Sequence, residues 1–122
     1  MDLTNYFHNL AEQGYLKKED IGLDQVKALL ESARKNLIAS QKNLSIDEET
    51  SYSMAYNAML KVARAIIYLQ GFRPDDGRQH KTTIEVAGKI LGDDFKILID
   101  KFDQMRKKRN QFTYQPLLPL GR

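Results

Sequence analysis

The chain has 122 residues, enough for one hydrophobic core and a single domain. Hydrophobic residues make up 42% and charged residues 29%, a balance too apolar for global disorder. Net charge is only +3, and the absence of cysteine excludes disulfides, thiolate metal sites and a cysteine nucleophile.

Helical periodicity runs through the whole chain. Leu3, Tyr6, Phe7 and Leu10 predict an accessory helix over 3–13, stopped by Gly14. The polar segment Lys17–Asp20 reads as a connection. A long helix follows from Leu23 to Asn43, with Val26, Leu29, Leu30, Ala33 and Leu37 on its apolar face. Ser45 and Glu48 match the S-x-x-E capping box of a third helix, and Asp47, Glu48 and Glu49 suit the positive end of its dipole. That helix is expected to run to Gln70, where Gly71 and Pro74 end it; Tyr52, Ala55, Tyr56, Met59, Ala63, Ile66 and Ile67 make it the central one. Gly71–Gln79 reads as a polar loop, and His80–Leu91 as a fourth helix stopped by Gly92.

Asp93 or Asp94 can cap a fifth helix that reaches Arg109 or slightly beyond. Phe95, Leu98, Ile99, Phe102 and Met105 are its core stripe. No segment shows sustained strand alternation. The expected fold is all-α, a mainly antiparallel four- to five-helix bundle over 23–114, with an extended tail over 115–122 that contains Pro116 and Pro119. The first residues lack a secretory pattern and no apolar run reaches membrane length, so we expect a cytoplasmic protein without a membrane partner.

The chemistry gathers at the end of the fifth helix. Arg106, Lys107, Lys108 and Arg109 are consecutive cations, and the stretch from Lys101 to Arg109 holds only one acid, Asp103. An anionic partner suits such a run, as does a solvated helix end. Arg109 lies seven residues beyond Phe102, hence only about 20° off the line of the core stripe. A cation thus falls where the pattern calls for an apolar side chain. It can snorkel to cap the bundle, or it can meet a phosphate. We take Arg106, Lys107, Lys108 and Arg109 as candidate nucleic-acid contacts.

No glycine-rich phosphate loop and no metal-ligand spacing is present, so no cofactor and no metal are expected. Of the two histidines, His8 reads as a surface residue, whereas His80 opens a helix after a loop, where acid–base work is possible. Asp47, Glu48 and Glu49 read as capping groups rather than paired catalytic carboxylates. Tyr52, Tyr56 and Met59 have core spacing.

The succession Ser53-Met54-Ala55-Tyr56-Asn57-Ala58-Met59-Leu60-Lys61-Val62-Ala63-Arg64-Ala65 resembles the second bundle helix of the HEPN superfamily. Gly71-Phe72-Arg73-Pro74, with His80 opening the next helix, continues the likeness. The last helix ends in Arg109-Asn110, where the superfamily carries an arginine, often a polar neighbour, and a histidine four to six residues on. The resemblance covers about Leu23 to Tyr114. It implies a helical bundle that forms a homodimer with two arginine motifs facing one cleft. Many members are metal-independent endoribonucleases, often toxins of toxin–antitoxin pairs. Others are paired with a small nucleotidyltransferase, or are inactive binding modules.

By this likeness Arg109 takes the arginine's role and Asn110 that of its polar neighbour, but the histidine position falls on Tyr114. Tyrosine, with a reference pKa near about 10, donates a hydrogen bond at neutral pH but is a poor base. On an unbroken helix five residues also turn Tyr114 about 140° away from Arg109, so the two converge only if the helix ends or bends between them. Pro116, which disfavours helix at Gln115, is consistent with an ending there.

Three readings follow. The first is a HEPN-like module that binds RNA or a nucleotide phosphate in a basic dimer cleft, its nuclease activity weak or lost. The second is an active endoribonuclease toxin using Arg109 and Tyr114, assisted by His80, with an antitoxin partner. The third is a protein-interaction partner of a nucleotidyltransferase.

Overall fold

The computed structural model describes residues 3–75 and 79–114, the last three of them by backbone alone. Five helices form among these residues: α1 (Thr4–Glu12), α2 (Leu23–Asn43), α3 (Glu48–Tyr68), α4 (Gln79–Leu91) and α5 (Lys96–Tyr114). The all-α expectation holds, and α2 has the boundaries its sequence indicates. The extended tail expected over 115–122 lies outside the described residues.

A short antiparallel pair was not legible. β1 (Leu16–Lys18) pairs with β2 (Phe72–Pro74) in the register Leu16↔Pro74, Lys17↔Arg73 and Lys18↔Phe72. Three residues cannot display a two-residue alternation, and the partners are remote in sequence, so both segments read as polar connections. The pair fastens α1 to the α3–α4 connection. There Phe7, Leu16, Ile67 and Val86 form one buried cluster, on which Tyr6, Leu10, Phe72 and Ile90 pack.

α3 starts differently from the expected capping box. Its N-cap is Asp47, whose carboxylate accepts from the N–H of Glu49 at 3.1 Å and of Thr50 at 3.4 Å. The Thr50 hydroxyl also donates to it at 2.7 Å. Ser45 therefore has no capping role: an aspartate two residues on is nearer the orphan amides and carries charge that suits the dipole.

α2 and α3 are antiparallel and joined by a polar seam. Ser40 and Ser51 each donate their hydroxyl to the other's carbonyl at 2.7 Å. Further along, Lys61 Nζ donates to Ser32 Oγ at 2.6 Å and to Asn36 Oδ1 at 2.7 Å. This seam explains why only Val26 and Ala33 of α2 are buried, while Leu30 and Leu37 of its expected apolar face stand exposed.

The main core lies between α3, α4 and α5: Tyr56, Leu60, Ala63, Ile84, Ala87 and Phe102, with Met59, Ile99 and Met105 packed against it. Contacts advance in step along α3 and α4, from Tyr56 with His80 to Ile67 with Val86, so α4 runs in the same sense as α3. α5 returns against both, bringing Ile99 to Gly88 and Arg109 back to Tyr56. A Cβ at Gly88 would stand 3.0 Å from Ile99, so glycine there permits the close approach. Phe95 and Leu98, expected in the core stripe, are exposed instead. A 3₁₀ turn over Asp93–Phe95 precedes α5, and in the first turn of α5 Ile99 packs on the core while Ile97 stands exposed.

Candidate functional site

Tyr56 is the centre around which the candidate residues gather. It projects from the middle of α3, is 0% exposed, and touches both neighbouring helices. Its hydroxyl lies 3.1 Å from His80 Nδ1 on α4. On the α5 side, Phe102 packs on its ring at 5.6 Å between centroids. The Arg109 guanidinium lies over the same ring, 5.8 Å from its centre. That is within cation–π range, so the flat aromatic face is one partner of this half-buried cation.

Arg109 therefore turns into the bundle, as its place on the stripe indicates. It is half-buried rather than solvated. Arg106, one turn earlier, is also drawn in: its side chain is 17% exposed and its Nε donates to Asp103 Oδ1 at 2.9 Å. Burial alone would raise the Asp103 pKa; the hydrogen bond and charge of Arg106, with Lys107 behind it, outweigh this and hold it below the usual carboxylate value. Lys107 is exposed, with Nζ 3.6 Å from Asp103 Oδ2. Exposed Lys108 reaches over the Tyr52 ring at 5.2 Å, and Asn110 is half-buried.

His80 stands in the first turn of α4 and is half-buried. Burial lowers its pKa, and the positive charges of Arg64, Arg109 and Arg106 lower it further. The ring is thus kept neutral near pH 7. Tyr56 is shifted the other way: burial raises its pKa, with Arg109, Arg106 and Arg64 opposing, so its hydroxyl keeps its proton.

The fourth charge at this site, Arg64, escaped the sequence reading. It is one of only two charges between residues 50 and 70, the other being Lys61. In a helix so poor in charge, each is a signal. Lys61 is used in the α2 seam, and Arg64 acts on His80.

Of Tyr114 only the backbone is described. α5 continues without a break to Tyr114. The five helical steps from Arg109 therefore turn its Cα about 140° around the axis. The convergence expected of a helix ending before Tyr114 does not occur in the backbone, and its side chain lies outside the described residues. The histidine that the structure sets beside the arginine motif is instead His80, on another helix.

No three His, Asp or Glu side chains among the described residues are grouped to hold a metal ion. No described helix is long and apolar enough to cross a membrane. His8 is exposed and pairs with Glu12 at 3.0 Å, far from this chemistry in role and in sequence.

An all-helical bundle closing on an arginine-tipped last helix defines the class of protein. The family model for the HEPN domain matches residues 26–120, and the chain belongs to that family. Membership points broadly to nuclease or RNA-related work, and HEPN domains often dimerise. No curated protein and no solved structure matches the chain.

Proposed function

We propose that the end of the bundle formed by α3, α4 and α5 binds RNA or a nucleotide through its phosphate. Arg109 and Arg106 lie at the centre of this site, with Lys107 and Lys108 on its outer rim. One observation carries the reading: the Arg109 guanidinium is held over Tyr56 instead of extending into water. Cleavage in this reading is weak or lost. Tyr114 is no substitute base, and losing a positioned acid–base group costs about 10²–10⁴ in rate. The family's tendency to dimerise supports a homodimer in which two such ends face one cleft.

Binding of single-stranded RNA should fall steeply with salt. If about four phosphates are neutralised, the log–log slope should be about −3. A flat response, or no binding at low salt, would sink the proposal.

A second reading, an active metal-independent endoribonuclease of a toxin–antitoxin pair, is favoured by His80 standing beside Arg109's aromatic partner. A neutral imidazole can accept a proton, and arginine can stabilise charge at phosphorus. In this case Arg109→Ala should abolish both RNA cleavage and growth inhibition. Purified protein that binds RNA for hours and leaves it intact removes this reading.

A further inference from the structure

Among the described residues, the imidazole of His80 is hydrogen-bonded to Tyr56, whose ring carries the Arg109 guanidinium, and the charges of Arg64, Arg106 and Arg109 all act on it, while the Asp103 carboxylate pairs with Arg106. Arg106 and Arg109 are three residues apart on α5 and so share one side of it. Arg64 lies about two turns beyond Tyr56 on α3, is half-buried, and its charge acts on both Tyr56 and His80. His80 adds the positive end of the α4 dipole. A passing RNA strand offers one negative charge per phosphodiester. A phosphate monoester carries about −1.5 to −2 near neutral pH, and three terminal oxygens. The half-buried cluster matches the second better in charge, and the monoester's three terminal oxygens can meet several guanidiniums at once.

We infer that this cluster is a receptor for a terminal phosphate monoester, on an RNA end or a nucleotide, and that His80 joins the arginines by taking up a proton as the phosphate enters. The inference rests on the phosphate-binding reading above and narrows its ligand.

Tyr56 is suited to both states of the ring. Its hydroxyl stays protonated, so it can donate to Nδ1 of the neutral imidazole in the tautomer that carries the ring's proton on Nε2. When Nδ1 gains a proton, the same oxygen accepts from it without moving. Among the described residues, the groups that act on His80 are Tyr56 and Arg64 from α3 and Arg106 and Arg109 from α5, while Asp103 of α5 acts on Tyr56. On α4 itself, Lys81 and Glu85 face each other at 4.0 Å. In the free protein the guanidiniums disfavour imidazolium. An entering dianion cancels much of their field, so binding raises the His80 pKa. Affinity must then fall as pH rises from the free to the bound value.

The test uses one single-stranded RNA sequence with a 5′-phosphate, a 3′-phosphate or only hydroxyl ends. Binding is measured by fluorescence anisotropy across mildly acidic to mildly basic pH. Wild-type protein should bind one phosphorylated form about tenfold more tightly than the hydroxyl form, the gain of a charge-assisted hydrogen bond; the tighter form identifies which end is taken. In His80→Gln, which keeps an acceptor for Tyr56, that preference should shrink. The ratio of wild-type to variant affinity should decline as pH rises, and taking the ratio at each pH removes the phosphate's own titration. Independently of any variant, an NMR titration of the wild-type imidazoles should show His80 shifting upward on adding phosphorylated RNA, with exposed His8 as internal reference. Equal affinity for all three RNAs, with the steep salt response intact, overturns the terminal-phosphate inference and leaves the broader reading standing. Loss of all RNA binding at low salt removes both. A phosphate preference with a pH-independent ratio and an unmoved His80 overturns the histidine's part.

Discussion

Along α5, Ile97 and Leu98 stand 74% and 49% exposed, whereas Arg106 and Arg109 at the other end are drawn against the core. A helix serving only to fill a bundle would do the reverse, since apolar exposure forgoes about 25 cal/mol per Å² and a half-buried cation is partly desolvated. The first half borders an apolar groove of about 370 Å³, shared with Leu37, Val62 and Ile66. The second half sets cations around an aromatic–imidazole pair. Between them, among the described side chains of this helix, Phe102 alone is buried, at 3% exposure. The contrast teaches that α5 is anchored in its middle and specialised towards its ends, and departures from the usual partition are expected where function is located.

Breaking the anchor should have the largest effect. Phe102→Ala removes a ring from the core and from the face of Tyr56, and should destabilise the fold by about 3–5 kcal/mol in urea or thermal unfolding. A loss below 1 kcal/mol would mean that the anchor lies elsewhere. Next in size, Arg109→Ala should weaken RNA binding by about 1.5–3 kcal/mol and lower the salt slope by about 1, with little change in melting temperature. A variant that unfolds while binding is unchanged would reverse the assignment and make Arg109 a structural cap.

A smaller effect concerns pH. The folded His80 pKa lies below its unfolded value of 6.5, first through burial and then through the arginines, so folding favours the neutral ring. That stability is fully present above the unfolded value and is lost as pH falls through the folded one. Melting temperature should therefore drop more on acidification in wild type than in His80→Gln; parallel curves would contradict the buried, arginine-ringed imidazole. Smallest of all, Leu98→Ser on the exposed half should stay within about 0.5 kcal/mol of wild type in stability. A large loss would show that the groove is covered in solution.

Much of this arrangement was legible in the residues. The boundaries of α2, the central place of α3 and the inward turn of Arg109 all follow from periodicity, because helical register is local and cumulative. Where reading failed, the causes were a competing cap, an adjoining turn and packing between helices. Ser45–Glu48 matches a capping pattern, yet Asp47 lies closer to the free amides and takes the cap. Phe95 and Leu98 continue the stripe of Phe102, but Phe95 ends the 3₁₀ turn and Leu98 lies at the edge of the apolar groove, so both stay partly exposed. Leu30 and Leu37 are displaced from burial by a seam of serine, asparagine and lysine.

The amino-acid order by itself determined the helices, the cationic tip and the absence of a histidine after Arg109. It did so because side-chain direction along one helix depends only on spacing. Tertiary structure alone decided that α4 runs alongside α3 and delivers His80 to Tyr56, and that Arg64 joins them. Those residues belong to different helices, and their meeting depends on how the helices pack, which no single stretch of chain encodes.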